Sequence, residues 1–77
     1  MEQQLKKIMS DILGIREEDI TDETAMINTR RWDSLKHIEL IIGIEEQFGI
    51  TPQLSMDEIV QMIVFAGMKR VLMEKLA

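Results

Sequence analysis

Seventy-seven residues make a single domain, residues 1–77, of a size that buries only about 60% of its unfolded surface and is marginally stable for that reason. Fourteen acids against nine bases give a net charge of −5, which argues against nucleic acid as a partner. The absence of cysteine excludes a disulfide, a thiolate metal site and any thiol nucleophile of the chain's own. The imbalance is local: ten acids and four bases between Asp11 and Phe48 give −6, and four acids and five bases elsewhere give +1. That acidic stretch suits a basic protein surface, although acidity also serves simple solubility. No leader-like segment and no apolar run of membrane-spanning length is present, so the expectation is a soluble, cytoplasmic monomer with no membrane partner.

In chain order, Leu5, Ile8, Met9 and Ile12 follow the i, i+3, i+4, i+7 rule, with Leu13 flanking and Gly14 placed for a left-handed cap. The spacing predicts a first helix over Glu2–Leu13. Residues 15 to 31 have no sustained period. Glu17, Glu18, Asp19, Asp22 and Glu23 with Thr21 and Thr24 read as a long surface loop, which in a small domain needs anchors. Ile15, Ile20, Met26 and Ile27 are the expected anchors, and Arg30 and Arg31 form a basic pair at its end.

A second helix is expected from Ser34 to about Phe48, capped by Asp33, whose carboxylate takes a first-turn N–H and leaves the Ser34 hydroxyl free. At about 100° per residue, Leu35, Ile38 and Ile42 share one ~60° sector. Leu40, Ile41, Ile44 and Phe48 fall in a roughly opposite one, joined by His37. Glu39, Glu45 and Glu46 border the first sector. A helix with two apolar stripes is either buried on both sides or presents one stripe to a partner; the shortness of the chain favours the partner. His37, the lone histidine, has no acidic neighbour at helical spacing on its own face, and reads as structural rather than catalytic. Scattered surface carboxylates provide no acid–base pair, so an enzyme is a poor reading.

Gly49 closes the second helix, and Thr51-Pro52-Gln53 connects it to a capping box, Ser55-Met56-Asp57-Glu58, staple residues Leu54 and Ile59 on either side. A third helix therefore starts at Met56. Ile63, Val64 and Phe65 offer no breaker, so the third and fourth helices are either fused or bent sharply by packing. Val64, Met68, Val71, Leu72 and Leu76 form the expected apolar stripe of the fourth helix, with Lys69, Arg70 and Lys75 suited to its C-terminal dipole and Gly67 tolerated at about 1 kcal/mol and placed to allow close helix contact. Apart from Met1, the methionines are expected mostly on buried faces, as adaptable filler.

Asp33-Ser34-Leu35, Ile38-Glu39-Leu40 and Glu45-Glu46-Gln47-Phe48-Gly49-Ile50 together resemble the acyl carrier protein family, most closely over Trp32 to Ile50. The resemblance implies an all-α fold, a small four-helix bundle with a long loop between the first two helices. It implies 4′-phosphopantetheine on Ser34, with Asp33 beside it, received from coenzyme A on a phosphopantetheinyl transferase. Acyl or aminoacyl groups would then ride as thioesters between loading, transfer or synthase enzymes of fatty acid, polyketide or related biosynthesis. Leu35, Ile38 and Ile42 would dock on those enzymes, with Glu39, Glu45 and Glu46 steering toward their basic surfaces. The chain itself would perform no catalysis and bind no metal. Trp32 and Lys36 depart from the usual family pattern, and Trp32 is expected to shield the start of the second helix, to contact the arm or to pack on the bundle edge. The alternative from another class is a helical protein-interaction module with no prosthetic group.

Overall fold

The computed structural model describes residues 1–51 and 53–77, so the expected helix breaker Pro52 lies outside the described residues. Four helices form: α1 (Glu2–Leu13), α2 (Ser34–Phe48), α3 (Met56–Gln61) and α4 (Phe65–Leu76). No strand forms among the described residues; Ala25 and Val64 make one isolated antiparallel bridge. The all-α, four-helix expectation is met. No helix among the described residues is long and apolar enough to cross a membrane.

α1 ends as its sequence dictates, with Gly14 at φ 70° and its N–H donating to Ser10 O at 2.9 Å. Its core face is turned slightly from the expected one. Leu5, Met9 and Leu13 are fully buried, and Ile8 and Ile12 are only partly covered. This i, i+4, i+8 row drives into the core with Ile20, Trp32, Leu40, Ile44, Phe65, Met68 and Leu72.

The loop between α1 and α2 is anchored differently from expectation. Ile20 is buried, and Ile15 and Met26 are half-buried, but Ile27 is 97% exposed and anchors nothing. Backbone hydrogen bonds do that work. Met26 N–H donates to Ile63 O at 2.8 Å, Phe65 N–H to Thr24 O at 2.8 Å, and Ala66 N–H to Asp22 O at 3.2 Å. The loop thus satisfies its own polar backbone against the start of α4, as buried chain must. Asn28 rigidifies the tip, accepting from Ala25 N–H at 2.9 Å and donating to Glu23 O at 2.8 Å.

The same contacts settle how α3 becomes α4. The helices are separate: Met62 and Ile63 turn, Val64 is extended at φ −135°, and α4 starts at Phe65. Packing is not the only restraint, because the loop pairs with this corner. Gly67 allows the close helix contact expected of it. A Cβ there would sit 2.1 Å from Gln61 O, so the end of α3 lies directly on the α4 backbone. Gly67, Met68, Val71 and Leu72 are buried, whereas Val64 is half-buried and Leu76 is 46% exposed, outside the stripe expected for it.

Two other expectations change. Met9, Met62 and Met68 are fully buried, but Met56 and Met73 are 76% and 63% exposed, so the methionines are divided between core and surface. Lys69 serves ion pairs rather than the helix end. It bridges Glu2 and Asp22 and lies 5.2 Å from the Phe65 ring centroid, and those carboxylates raise its pKa.

Candidate attachment site and docking face

The turn into α2 begins at Trp32, whose N–H donates to Thr29 O at 3.0 Å. Asp33 then takes the N-cap position in extended conformation, and its Oδ1 accepts from Lys36 N–H at 2.8 Å. Asp33 O accepts from His37 N–H at 2.9 Å, the first turn's backbone bond. Because Asp33 performs the capping, Ser34 stands at the first helical position, exposed, with its hydroxyl in no hydrogen bond among the described residues. The helix behind it is 15 residues long, and its N-terminal end carries unpaired N–H groups and the positive end of the dipole. An accessible primary hydroxyl beside a partial positive charge fits a phosphate ester.

Trp32 lies under this turn, shielding the start of α2 as one of its expected placements had it, rather than at the bundle edge. It is 1% exposed, and its indole N–H donates to His37 Nδ1 at 3.1 Å. An indole can only donate, so Nδ1 is the imidazole's acceptor and Nε2 carries its proton. Nε2 in turn donates to Ile59 O at 2.9 Å. One buried histidine thereby joins the loop, the first turn of α2 and the end of α3. The burial of His37 agrees with the wheel. The link itself was not read from the sequence, where a tryptophan and a histidine five apart carry no obvious pairing signal.

Leu35, Ile38 and Ile42 are 69%, 57% and 51% exposed, on the side of α2 away from the buried His37, Leu40, Ile41 and Ile44. The second stripe therefore faces outward. Of the bordering acids, Glu46 is exposed, and Glu39 is exposed with a 3.4 Å contact to Lys36. Glu45 is half-buried, and its Oε2 accepts from Leu54 N–H at 2.9 Å, tying the chain after α2 back to the helix. Arg30 and Arg31 are both exposed. The Arg31 guanidinium lies where a Gly14 side chain would be, 2.9 Å from the position of a Cβ, and lines a cleft with Asp11, Asp33 and Lys36.

Downstream, the expected box at α3 forms in full: Ser55 N–H donates to Glu58 Oε1 at 2.8 Å and Glu58 N–H to Ser55 Oγ at 3.2 Å. Lys75 of α4 adds a 3.0 Å ion pair to Glu58. The Ser55 amide first, and Lys75 second, hold the Glu58 carboxyl below the usual glutamate range.

A protein-family model described as the phosphopantetheine attachment site matches residues 3–62, which takes in α1, the long loop, α2 and α3. The chain therefore belongs to the phosphopantetheine-binding carrier protein family, whose members bear covalently attached 4′-phosphopantetheine.

Proposed function

We propose that Ser34 is the attachment residue and that the chain carries acyl or aminoacyl groups between enzymes of fatty acid, polyketide or related biosynthesis. The observation that carries this reading is the exposed, uncommitted Ser34 hydroxyl at the start of α2, with Asp33 doing the capping. When bound, the group supplies a terminal thiol, which this cysteine-free chain lacks, and that thiol holds cargo as a thioester. The chain's own residues position and present. Asp33 keeps the hydroxyl free, the α2 N-terminus favours the phosphate, and the Trp32–His37–Ile59 link holds the turn against α3.

Delivery requires partners that bind and release quickly. The exposed Leu35, Ile38 and Ile42 supply short-range apolar contact, while Glu39 and Glu46 steer toward basic surfaces of a phosphopantetheinyl transferase and of loading and transfer enzymes. Glu45 borders the same face, with one carboxylate oxygen already committed to Leu54. The carrier acts in the cytoplasm as a monomer and catalyses nothing itself. The test is transfer of the arm from coenzyme A by a transferase, followed by intact mass, on wild type, Ser34→Ala and a Glu39→Lys/Glu46→Lys variant. The reading expects a modified wild type, an inert Ser34→Ala, and slower, less salt-sensitive modification of the charge-reversed protein. A modified Ser34→Ala would refute it.

A further inference from the structure

We propose that cargo on this carrier stays outside the fold, and that the chain is suited to short or polar acyl groups rather than long aliphatic ones. The inference rests on Ser34 as the attachment residue. An aliphatic tail tethered there is driven to leave water for the nearest apolar interior. The interior adjoining Ser34 is already filled. Trp32, two residues before Ser34, is 1% exposed and belongs to one core cluster with Leu40, Met62, Phe65 and Met68, all at 0%.

A polar bond also crosses from α2 to α3. Trp32 Nε1–H to His37 Nδ1 and His37 Nε2–H to Ile59 O span the loop, α2 and α3 in series. No buried side-chain nitrogen or oxygen among the described residues lacks a partner. A chain wedged between α2 and α3 would break the His37–Ile59 bond that crosses them and offer methylene groups in return, leaving the imidazole Nε2–H without its acceptor. It would also have to displace side chains from a close-packed core.

The surface beside Ser34 favours polar cargo for a separate reason. The adjoining concavity, a cleft of about 360 Å³, carries four ionisable side chains, Asp11, Arg31, Asp33 and Lys36. A long apolar chain would meet only Ile12 and Leu13 there, among those charges, and one lying along Leu35, Ile38 and Ile42 would keep a side in water and cover the docking face. A short acyl group, or one bearing hydroxyl, amino or carboxyl groups, meets none of these obstacles.

The experiment loads the wild-type carrier with acetyl, hexanoyl and decanoyl arms from the matching coenzyme A thioesters, each verified by intact mass and mapped to Ser34. The thermal midpoint and the emission of Trp32, the single tryptophan, are then compared across the series. Both are expected to be independent of chain length. A midpoint that climbs from acetyl to decanoyl, with a shift in Trp32 emission, would overturn the proposal. A carrier that gains no mass, or gains it elsewhere, would instead remove the attachment reading on which the proposal stands. Trp32→Leu opens space beside Ser34 and should make the midpoint rise with chain length. A folded Trp32→Leu carrier that still ignores chain length would reject Trp32 as the barrier. If that variant does not fold, the wild-type series decides alone.

Discussion

Removing the His37 imidazole should destabilise the domain out of proportion to the side chain's size. In His37→Ala, the Trp32 indole N–H loses its acceptor at a site 1% exposed, so it bears a full desolvation penalty of about 1–3 kcal/mol. The Ile59 carbonyl loses the imidazole donor but keeps Met62 N–H at 3.2 Å, and the lost bond is only partly buried, so water can replace it at little cost. The cavity adds a contribution of similar size, giving roughly 2–6 kcal/mol in all. For a domain whose total stability is expected near the low end of about 5–15 kcal/mol, this is a large share. A double-mutant cycle isolates the bond from the cavity. His37→Leu and Trp32→Phe each remove one partner, whereas the double variant removes both and leaves no orphaned donor. Urea melts followed by circular dichroism at equal m-values should give a coupling of about 1–3 kcal/mol. A coupling below about 0.5 kcal/mol would mean that the link contributes nothing beyond packing, and the account of the α2–α3 seam would fall with it.

Four further outcomes follow from the same geometry. Gly67→Ala should destabilise by about 1–3 kcal/mol despite alanine's better helix propensity, because its Cβ would meet Gln61 O at 2.1 Å; a neutral or stabilising result in a thermal melt would show that the α3–α4 corner is looser than described. Ser55→Ala should cost on the order of 1 kcal/mol through loss of the N-cap, and an unchanged denaturant midpoint would show that α3 does not depend on it. Because the Glu58 pKa is lowered by folding, its contribution is fully present above the ordinary glutamate value of about 4.3 and is lost as pH falls through the folded value. The stability difference between wild type and Glu58→Ala should therefore be level near neutrality and shrink on acidification, and a difference that grows instead would reverse the assigned sign. Ile38→Ser should change the urea midpoint by no more than about 0.5 kcal/mol, as exposed substitutions do, while slowing transferase action; a loss of several kcal/mol would place Ile38 in the core.

How much of this was legible in the sequence depended on how local the cause was. Helix ends governed by a nearby residue were readable: Gly14 and Gly49 in left-handed caps, Asp33 on the Lys36 amide, and the Ser55–Glu58 box all appear at the expected positions. The two faces of α2 were likewise readable from period alone. Features set by distant partners were not. Ile27 looks like an anchor by composition, yet the loop is tied down by backbone bonds to Ile63, Thr24–Phe65 and Asp22–Ala66, which leave no side-chain pattern. Lys69 sits in the last helix, but its charge is claimed by Glu2 at the other end of the chain. Glu45 reads as one more rim carboxylate until the fold brings Leu54 N–H to it. The start of α2 itself was legible because Asp33 and Ser34 divide capping and exposure between adjacent residues. The Trp32–His37–Ile59 link beneath it spans three elements and needed the tertiary structure.

The most direct test of Ser34 as the attachment residue is a peptide-level mass measurement after incubation with coenzyme A and a broad phosphopantetheinyl transferase. Trypsin cuts after Arg31 and Lys36, releasing Trp32–Lys36, in which Ser34 is the only hydroxyl-bearing residue. The account predicts that this peptide alone gains the mass of the arm and that Ser34→Ala gains nothing at any position. An unmodified wild type, or a gain on the peptides that contain Ser10 or Ser55, would contradict it.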